Sequence, residues 1–234
     1  MWTEPSRSRL EKTPSPGTVH LWTASRIVST SSLKTFEGTL SPDERKAAAK
    51  FRLDAHRRRY IFSQGILRTI LSRYIGIAPE RLRFPTNGYV KPRLEEDNPH
   101  NLSFNMSHSE DLVVIGVTSN RLIGVDIEFV RPIPDIVAIA EQHFTPQERD
   151  LLNATDPAQQ ERLFYTCWTR KEAYIKAVGK GLSIPLNAYD TSMPVGSPGG
   201  FLESTVDAPT IERWWLSDVS IPRQSVGALV IEES

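Results

Sequence analysis

Gly124-Val125-Asp126-Ile127-Glu128 is the stretch around which the chain is organised. Its apolar residues alternate with two carboxylates, and a period of two predicts a half-buried β-strand. Side chains two residues apart in a strand point to the same face, so Asp126 and Glu128 are about 7 Å apart at the backbone. Two carboxylates on one face can converge on a single hard cation such as Mg²⁺.

A second stretch, residues 168–176, reads Trp-Thr-Arg-Lys-Glu-Ala-Tyr-Ile-Lys. Glu172 and Lys176 are four residues apart, which places them on one face of a helix. Glu172 would add a third carboxylate to the strand pair, and such an oxygen-rich set suits Mg²⁺. On spacing alone, a solvated strand face and an ordinary surface ion pair are the commoner explanation of these residues.

Length and charge set broad limits. The chain has 234 residues, enough for one large domain or two small ones with their own cores. The formal net charge is zero, but basic residues crowd between Arg45 and Arg93, which indicates an anionic ligand or partner. Nucleic acid is the competing explanation of this basicity. Because no segment matches a recognised nucleic-acid module, we predict no nucleic-acid binding.

The single cysteine, Cys167, excludes an internal disulfide framework and favours a reducing compartment. It lies in an apolar helical run, which favours a packed core thiol over a nucleophile. The sequence contains neither a signal-peptide core nor eighteen consecutive apolar residues, so we expect a cytoplasmic protein that does not enter the membrane. Residues 1–17 are rich in Ser, Pro and charge and predict a disordered tail.

Two segments carry the signature of a helix start. Ser41 and Thr145 each precede a proline and come three residues before Glu44 and Glu148, as in a capping box. The remaining periodicity predicts the other elements. We expect helices over residues 42–74 with a break near residue 54, over 136–142, from 146 onward and over 157–178, and strands over 18–23, 102–106, 112–118, 124–128, 213–219 and 226–232. No internal sequence repeat is evident.

Ser107, His108 and Ser109 are expected to form the turn between two of these strands. A histidine in a turn is more often structural than functional. Nevertheless, two hydroxyls and an imidazole at a strand end can each donate a hydrogen bond to an anion, so a phosphate site is the alternative.

Taken together, the ordered motifs resemble the 4′-phosphopantetheinyl transferase superfamily, of the surfactin-synthetase-activating type. The similarity extends over about residues 40–185. It rests on residues 41–45, 54–57, 91–92, 104–109, 124–128, 144–148 and 168–182.

The resemblance implies an α+β fold with two similar halves related by pseudo-twofold symmetry. Each half would be a small antiparallel sheet packed on helices, with the active site in the cleft between them. The halves would comprise residues 18–119 and 120–234. Coenzyme A would lie in the cleft.

The resemblance also implies the reaction. The 4′-phosphopantetheine arm of coenzyme A would pass to a serine of an apo acyl, peptidyl or aryl carrier protein, releasing adenosine 3′,5′-bisphosphate. The enzyme would be a monomer that uses Mg²⁺, with Mn²⁺ as a possible substitute. Asp126, Glu128 and Glu172 would hold the metal. Glu172 would also be the base for the serine, and Lys176 would bind the phosphates. The cofactor-binding residues would be Arg57, Lys91, Ser107, His108 and Lys176, with Arg57 and His108 on the 3′-phosphate.

The chain departs from the family pattern at the proposed phosphate site. Glu44 and Ala47 occupy helix positions where family members often carry lysines, and Val90 replaces the glycine before Lys91. Two other functions stay open: a module that binds coenzyme A or a carrier without transfer, and a different Mg²⁺-dependent phosphoryl enzyme such as a phosphohydrolase. The complete set of carboxylates and lysine favours transfer.

Overall fold

The computed structural model describes residues 13–15, 17–84, 94, 98, 100–179, 184–192, 200–201, 203–204, 213–221 and 224–233. The first half of the chain contributes three strands, three helices and a 3₁₀ turn. These are β1 (His20–Ser25), α1 (Thr30–Thr39), α2 (Pro42–Ala49), α3 (Asp54–Ile75), the 3₁₀ turn Pro79–Arg81, β2 (Leu102–Ser109) and β3 (Leu112–Ser119).

The second half begins with the strand that carries the two carboxylates. Its elements are β4 (Ile123–Phe129), α4 (Ile136–His143), α5 (Pro146–Ala154), α6 (Pro157–Val178), the 3₁₀ turn Leu186–Ala188, β5 (Tyr189–Asp190), β6 (Gly200–Phe201), β7 (Glu203–Ser204), β8 (Trp214–Asp218) and β9 (Ser225–Glu232). The predicted bounds of α6 are confirmed, and β4 lies where the alternation placed it.

The two main sheets are antiparallel and share a strand order. In the first sheet β3 lies between β1 and β2, and in the second sheet β9 lies between β4 and β8, with β6 beyond β8. In each half the first strand therefore pairs with the last strand, and the strand before last lies beyond it. This arrangement confirms the predicted α+β fold with two similar halves.

The helices repeat in the same way. Both α2 and α5 begin with a proline and carry the predicted capping box, Ser41 with Glu44 and Thr145 with Glu148. Both α3 and α6 are 22 residues long and end at a glycine in the left-handed conformation. The structure thus contains a repeat that the sequence does not reveal.

A buried basic side chain sits at the same position of each long helix, counted from its first residue. In α3 this is Arg68, which pairs with Glu44 at 2.6 Å and is 2 % exposed. Its guanidinium also donates to the carbonyl oxygens of Pro79 and Leu82, at the first residue and the C-cap of the 3₁₀ turn. One arginine therefore joins α2, α3 and the turn that follows.

Lys171 plays the same part in α6. It pairs with Glu148 at 2.8 Å, and both side chains are fully buried. Its ammonium donates to the carbonyl oxygens of Leu186 and Tyr189, again at the first residue and the C-cap of the 3₁₀ turn. The lysine that precedes Glu172 in the sequence motif is therefore a structural residue of the fold.

One sequence-based prediction is corrected, and one helix was missed. Ser107, His108 and Ser109 are not a turn, because β2 continues through them and Ser109 pairs with Leu112 across the hairpin. The turn is one residue further on, at Glu110, whose φ of 47° is left-handed. Helix α1 was not predicted because its Ser, Thr and Gly residues are weak helix formers.

Tertiary packing stabilises α1, whose residues have low intrinsic helix propensity. Leu33 and Phe36 are buried against the core of the first half. A methyl group added to Gly65 of α3 would lie 2.5 Å from Cβ of Phe36, so the two helices meet at a glycine. Most of the predicted tail, residues 1–17, lies outside the described residues; Ser119 Oγ donates to the carbonyl oxygen of Pro14 at 2.9 Å.

Burial of Cys167 agrees with the predicted core thiol. It is 1 % exposed, and burial raises its pKa to about 12, so it is a poor nucleophile near neutral pH. Of the helices in the described ranges, none has the length together with the apolar composition that crossing a membrane requires.

The buried Lys171–Glu148 pair gives a stability test. Lys171→Met should lower the free energy of unfolding by about 3–5 kcal/mol, because Glu148 would keep a buried charge without its partner. Arg162→Met, at an exposed position of the same helix, is the matched control and should change stability by no more than about 0.5 kcal/mol. Urea unfolding measures both. Equal effects of the two substitutions would contradict the structural role of Lys171.

Candidate functional site

Asp126 and Lys176 meet where β4 crosses α6. Lys176 Nζ lies 2.6 Å from Asp126 Oδ1. Ser107 of β2 contacts both: its hydroxyl donates to Asp126 Oδ1 at 2.7 Å and accepts from Lys176 Nζ at 3.0 Å. Three of the predicted site residues therefore form one cluster, with Ser107 from the first half and the other two from the second half.

This cluster contradicts the commoner explanation of the two motifs. Asp126 is 4 % exposed, so its face of the strand is not solvated. Lys176 pairs with Asp126 across two elements instead of with Glu172 along its own helix. The interpretation of Glu172 and Lys176 as a surface ion pair within α6 is therefore wrong.

Glu172 and Glu128 add negative charge beside Asp126. Burial, followed by the charge of Asp126, raises the pKa of Glu172 above its ordinary value, and Lys176 only partly opposes this. Burial also raises the pKa of Glu128, with Asp126 adding to the effect and a hydrogen bond from Ser109 opposing it. The three carboxylates are thus near enough to repel one another, and charge repulsion of this kind is typical of functional sites.

The carboxylates fit a divalent cation in ligand type and in charge. Asp126 Oδ2 is buried and has no hydrogen-bond partner among the described residues, so one oxygen is available for a positive ligand. Lys176 occupies the other oxygen. Within the described part of the chain, no three His, Cys, Asp or Glu side chains are gathered closely enough to hold a metal ion as they stand.

His108 is exposed near the end of β2, between Ser107 and Ser109. Desolvation lowers its pKa, and the charges of Arg26 and Lys176 lower it further. Arg26 follows β1, and its backbone amide donates to the carbonyl oxygen of Asp111 at 2.6 Å. No sequence motif marks this arginine, because only the pairing of β1 with β3 brings it to the β2–β3 hairpin.

Arg57 has a partner elsewhere. Its guanidinium pairs with Glu37 of α1 at 2.7 Å, and both side chains are partly exposed. Glu44, one of the departures from the family pattern, accepts from Ser41 N and pairs with Arg68. Lys91 lies outside the described residues.

A cavity of about 1100 Å³ lies in the first half. It is formed by α2, α3, the first 3₁₀ turn and β2, and Asn105 and Met106 bring it to the boundary between the halves. It has both polar and apolar walls.

Two protein-family models match the chain. One describes the N-terminal region of 4′-phosphopantetheinyl transferases and matches residues 22–120. The other describes the 4′-phosphopantetheinyl transferase superfamily and matches residues 122–222. The chain belongs to this superfamily. The resemblance carried by the motifs is confirmed.

Named relatives agree. The transferase is 39% identical over 166 residues to the 4′-phosphopantetheinyl transferase HetI of Nostoc sp., which covers 70% of this chain and 70% of that protein. It is 35% identical over 160 residues to the 4′-phosphopantetheinyl transferase Sfp of Bacillus subtilis, covering 68% of each. A solved structure, the holo-[acyl-carrier-protein] synthase of Thermotoga maritima, matches at 20% identity and a TM-score of 0.38, covering 48% of this chain and 63% of that one.

The superfamily transfers phosphopantetheine from coenzyme A to carrier proteins, which confirms the activity predicted for the transferase. Of the eight predicted site residues, the structure gathers Ser107, Asp126 and Lys176 by direct contact. The charges of Asp126 and Lys176 also influence the pKa values of Glu128, Glu172 and His108.

The cluster predicts opposite stability effects for two residues of α6. Lys176→Met should lower the free energy of unfolding by about 1–3 kcal/mol, because Asp126 would stay buried without its charged partner. Glu172→Gln should raise stability at neutral pH without divalent metal, because it removes a repelling charge.

The pH dependence of stability tests the effect predicted for Glu172. A carboxyl whose pKa is raised in the folded state loses stability as the pH rises from its unfolded pKa through its folded pKa. The advantage of Glu172→Gln should therefore shrink as the pH is lowered toward the unfolded value. Thermal melting between pH 5 and 8 measures both variants. A destabilising Glu172→Gln would mean that its carboxylate has a favourable partner in the fold.

Proposed function

We propose that the cluster of Asp126, Glu172 and Lys176 is the active site of phosphopantetheinyl transfer. The serine hydroxyl of an apo acyl, peptidyl or aryl carrier protein attacks the β-phosphorus of coenzyme A. A bond forms from the serine oxygen to this phosphorus, and the bond to the oxygen bridging the two phosphates breaks. Adenosine 3′,5′-bisphosphate leaves. The Asp126–Lys176 contact at the boundary of the halves is the observation that carries the proposal.

Glu172 takes the serine proton, directly or through water. Its raised pKa makes it a stronger base than an exposed glutamate, and it stays partly accessible from solvent. Lys176 lies on the same helix face and offsets the charge that develops on the departing bisphosphate. A fixed charge beside a developing anion is among the largest contributions to enzymatic rate.

A divalent cation, Mg²⁺ or Mn²⁺, belongs to this proposal. Asp126, Glu128 and Glu172 would hold it, and the unpaired Oδ2 of Asp126 supports their assignment. When bound, such an ion neutralises phosphate oxygens and orients them.

Binding of the nucleotide end of coenzyme A is assigned to the first half. The 1100 Å³ cavity offers space for the nucleotide, next to β2. His108 and Arg57 would contact the 3′-phosphate, with Ser107 and Lys91 nearby, and the charge of Arg26 beside His108 makes this end of β2 favourable for an anion. Arg57 would have to share its guanidinium with Glu37.

We further infer that residues 18–119 and 120–234 act together as a cytoplasmic monomer. A single reduced thiol, buried in the core, suits a reducing compartment. A site made from both halves of one chain needs no second copy.

Intact mass spectrometry of an apo carrier protein tests the proposed reaction. With coenzyme A and Mg²⁺, the carrier should gain one phosphopantetheine. Asp126→Asn, which is similar in shape but has no charge, should slow this transfer by about a hundredfold or more. Cleavage of coenzyme A without a gain on the carrier would indicate a phosphohydrolase. Binding of coenzyme A without either change would indicate a binding module.

A comparison of two substrates tests the phosphate assignment. His108→Ala and Arg57→Met should each raise the KM for coenzyme A by about tenfold to a hundredfold, as expected for the loss of about 1.5–3 kcal/mol from a charged hydrogen bond. Neither should change the KM for 3′-dephospho-coenzyme A. Arg58→Met, at the next position of α3, is the matched control.

Binding of coenzyme A should also weaken as the pH rises. The pKa of His108 is low in the free protein, and a bound phosphate would raise it, so binding takes up a proton. Isothermal titration at two pH values measures this.

In the comparison of coenzyme A with 3′-dephospho-coenzyme A, equal effects of the His108 and Arg57 substitutions on both substrates would place the 3′-phosphate elsewhere.

A further inference from the structure

Side chains of β2 join it to β4 by hydrogen bonds. The two strands belong to different sheets, and within the described residues no main-chain ladder joins them. From Asn105 to Ser109, every second side chain of β2 instead accepts a hydrogen bond from a backbone amide of β4. The three bonds are Val125 N to Asn105 Oδ1 at 2.8 Å, Ile127 N to Ser107 Oγ at 3.4 Å and Phe129 N to Ser109 Oγ at 3.0 Å.

The arrangement follows from the position of β4 at the edge of its sheet. One edge of β4 pairs with β9, and the amides on its other edge need acceptors because an unpaired buried amide is costly. Residues two apart in β2 point the same way and match the repeat of β4. The polar residues of the Asn-x-Ser-x-Ser pattern are therefore needed for the contact between the halves.

Ser109 has a second contact that Asn105 lacks. Its hydroxyl accepts from Phe129 N and donates to Glu128 Oε2 at 2.8 Å. A serine hydroxyl has one proton, and the backbone amide cannot accept it. The bond from Phe129 therefore orients the hydroxyl so that its proton points to Glu128, which restricts the rotamers of that carboxylate.

We propose that Ser109 is a positioning residue, which holds Glu128 in the orientation required for metal binding. The inference rests on the proposed function, in which Glu128 is a metal ligand. Outer partners of ligating carboxylates typically contribute tenfold to a hundredfold to metal affinity. Ser107 contacts Asp126 in the same way but also Lys176, so its substitution would change two charged groups at once. Ser109 isolates the positioning effect.

Titration of the full chain with Mn²⁺, followed by electron paramagnetic resonance at saturating coenzyme A and without a carrier, tests the proposal. Ser109→Ala should raise the Kd for Mn²⁺ by about tenfold to a hundredfold with an unchanged number of sites. Ser109→Thr keeps the hydroxyl and should bind as the unaltered chain does. Ser103→Ala is the matched control, because Ser103 lies on the same strand and, among the described residues, its side chain has no hydrogen bond to β4.

A purely structural role would reduce the number of Mn²⁺ sites at an unchanged Kd, and this result would overturn the proposal, as would an unchanged titration. If Ser109→Ala does not fold, Ser109→Cys replaces it, since a thiol is a similar size but a weak donor. Carrier transfer by the unaltered chain is measured in parallel. Transfer with no effect of Ser109 on metal binding refutes the positioning role alone. Metal binding that depends on Ser109 without any transfer refutes the proposed function and leaves the positioning role standing.

Discussion

The close approach of β4 to α6 determines the geometry of the site. A methyl group added to Gly124 would lie 1.9 Å from the carbonyl oxygen of Ala173, so no other residue fits there without moving the helix from the strand. Asp126 lies two residues beyond Gly124, and Lys176 lies one helical turn beyond Ala173, so this contact sets their 2.6 Å separation. Because the backbones of β4 and α6 lie at a fixed distance, the charged groups of Asp126 and Lys176 have one relative arrangement. The glycine in the first motif is thus as important for the chemistry as its carboxylates.

The internal repeat separates structural residues from functional ones. Arg68 and Lys171 occupy equivalent positions and make equivalent bonds, so both belong to the scaffold. The residues that follow them differ. Glu172 in α6 corresponds to Thr69 in α3, so only the second half carries a carboxylate at this helix position. The first half instead supplies β2, whose serines contact the carboxylates of the second half. One half therefore provides the acidic groups, and the other donates hydrogen bonds to Asp126 and Glu128.

Local signals in the sequence were sufficient for some elements and insufficient for others. The capping boxes and the alternation of β4 depend on nearby residues, so each could be predicted. Helix α1 depends on packing against Gly65, and the strand conformation of Ser107 depends on pairing with β3 and contact with β4. The resemblance named the charged residues but not their partners. The bonds of Arg57 to Glu37 and of Ser109 to Glu128 join residues distant in sequence, and no spacing rule reports them.

The charges of the site limit how an anionic substrate can enter it. The negative charge of Asp126 acts on both Glu128 and Glu172 and raises their pKa values, and Lys176 is in direct contact with Asp126. A pyrophosphate would add further negative charge, and like charges at such distances repel strongly in a partly buried site. Either the carboxyls must bind protons or a cation must accompany the substrate. In the proposed function protonation would remove the base for the serine, so charge balance is consistent with the proposed cation. In the proposed function, the charge of Arg26 beside His108 would attract the opposite end of the same substrate, and the two requirements together would orient coenzyme A across the boundary between the halves.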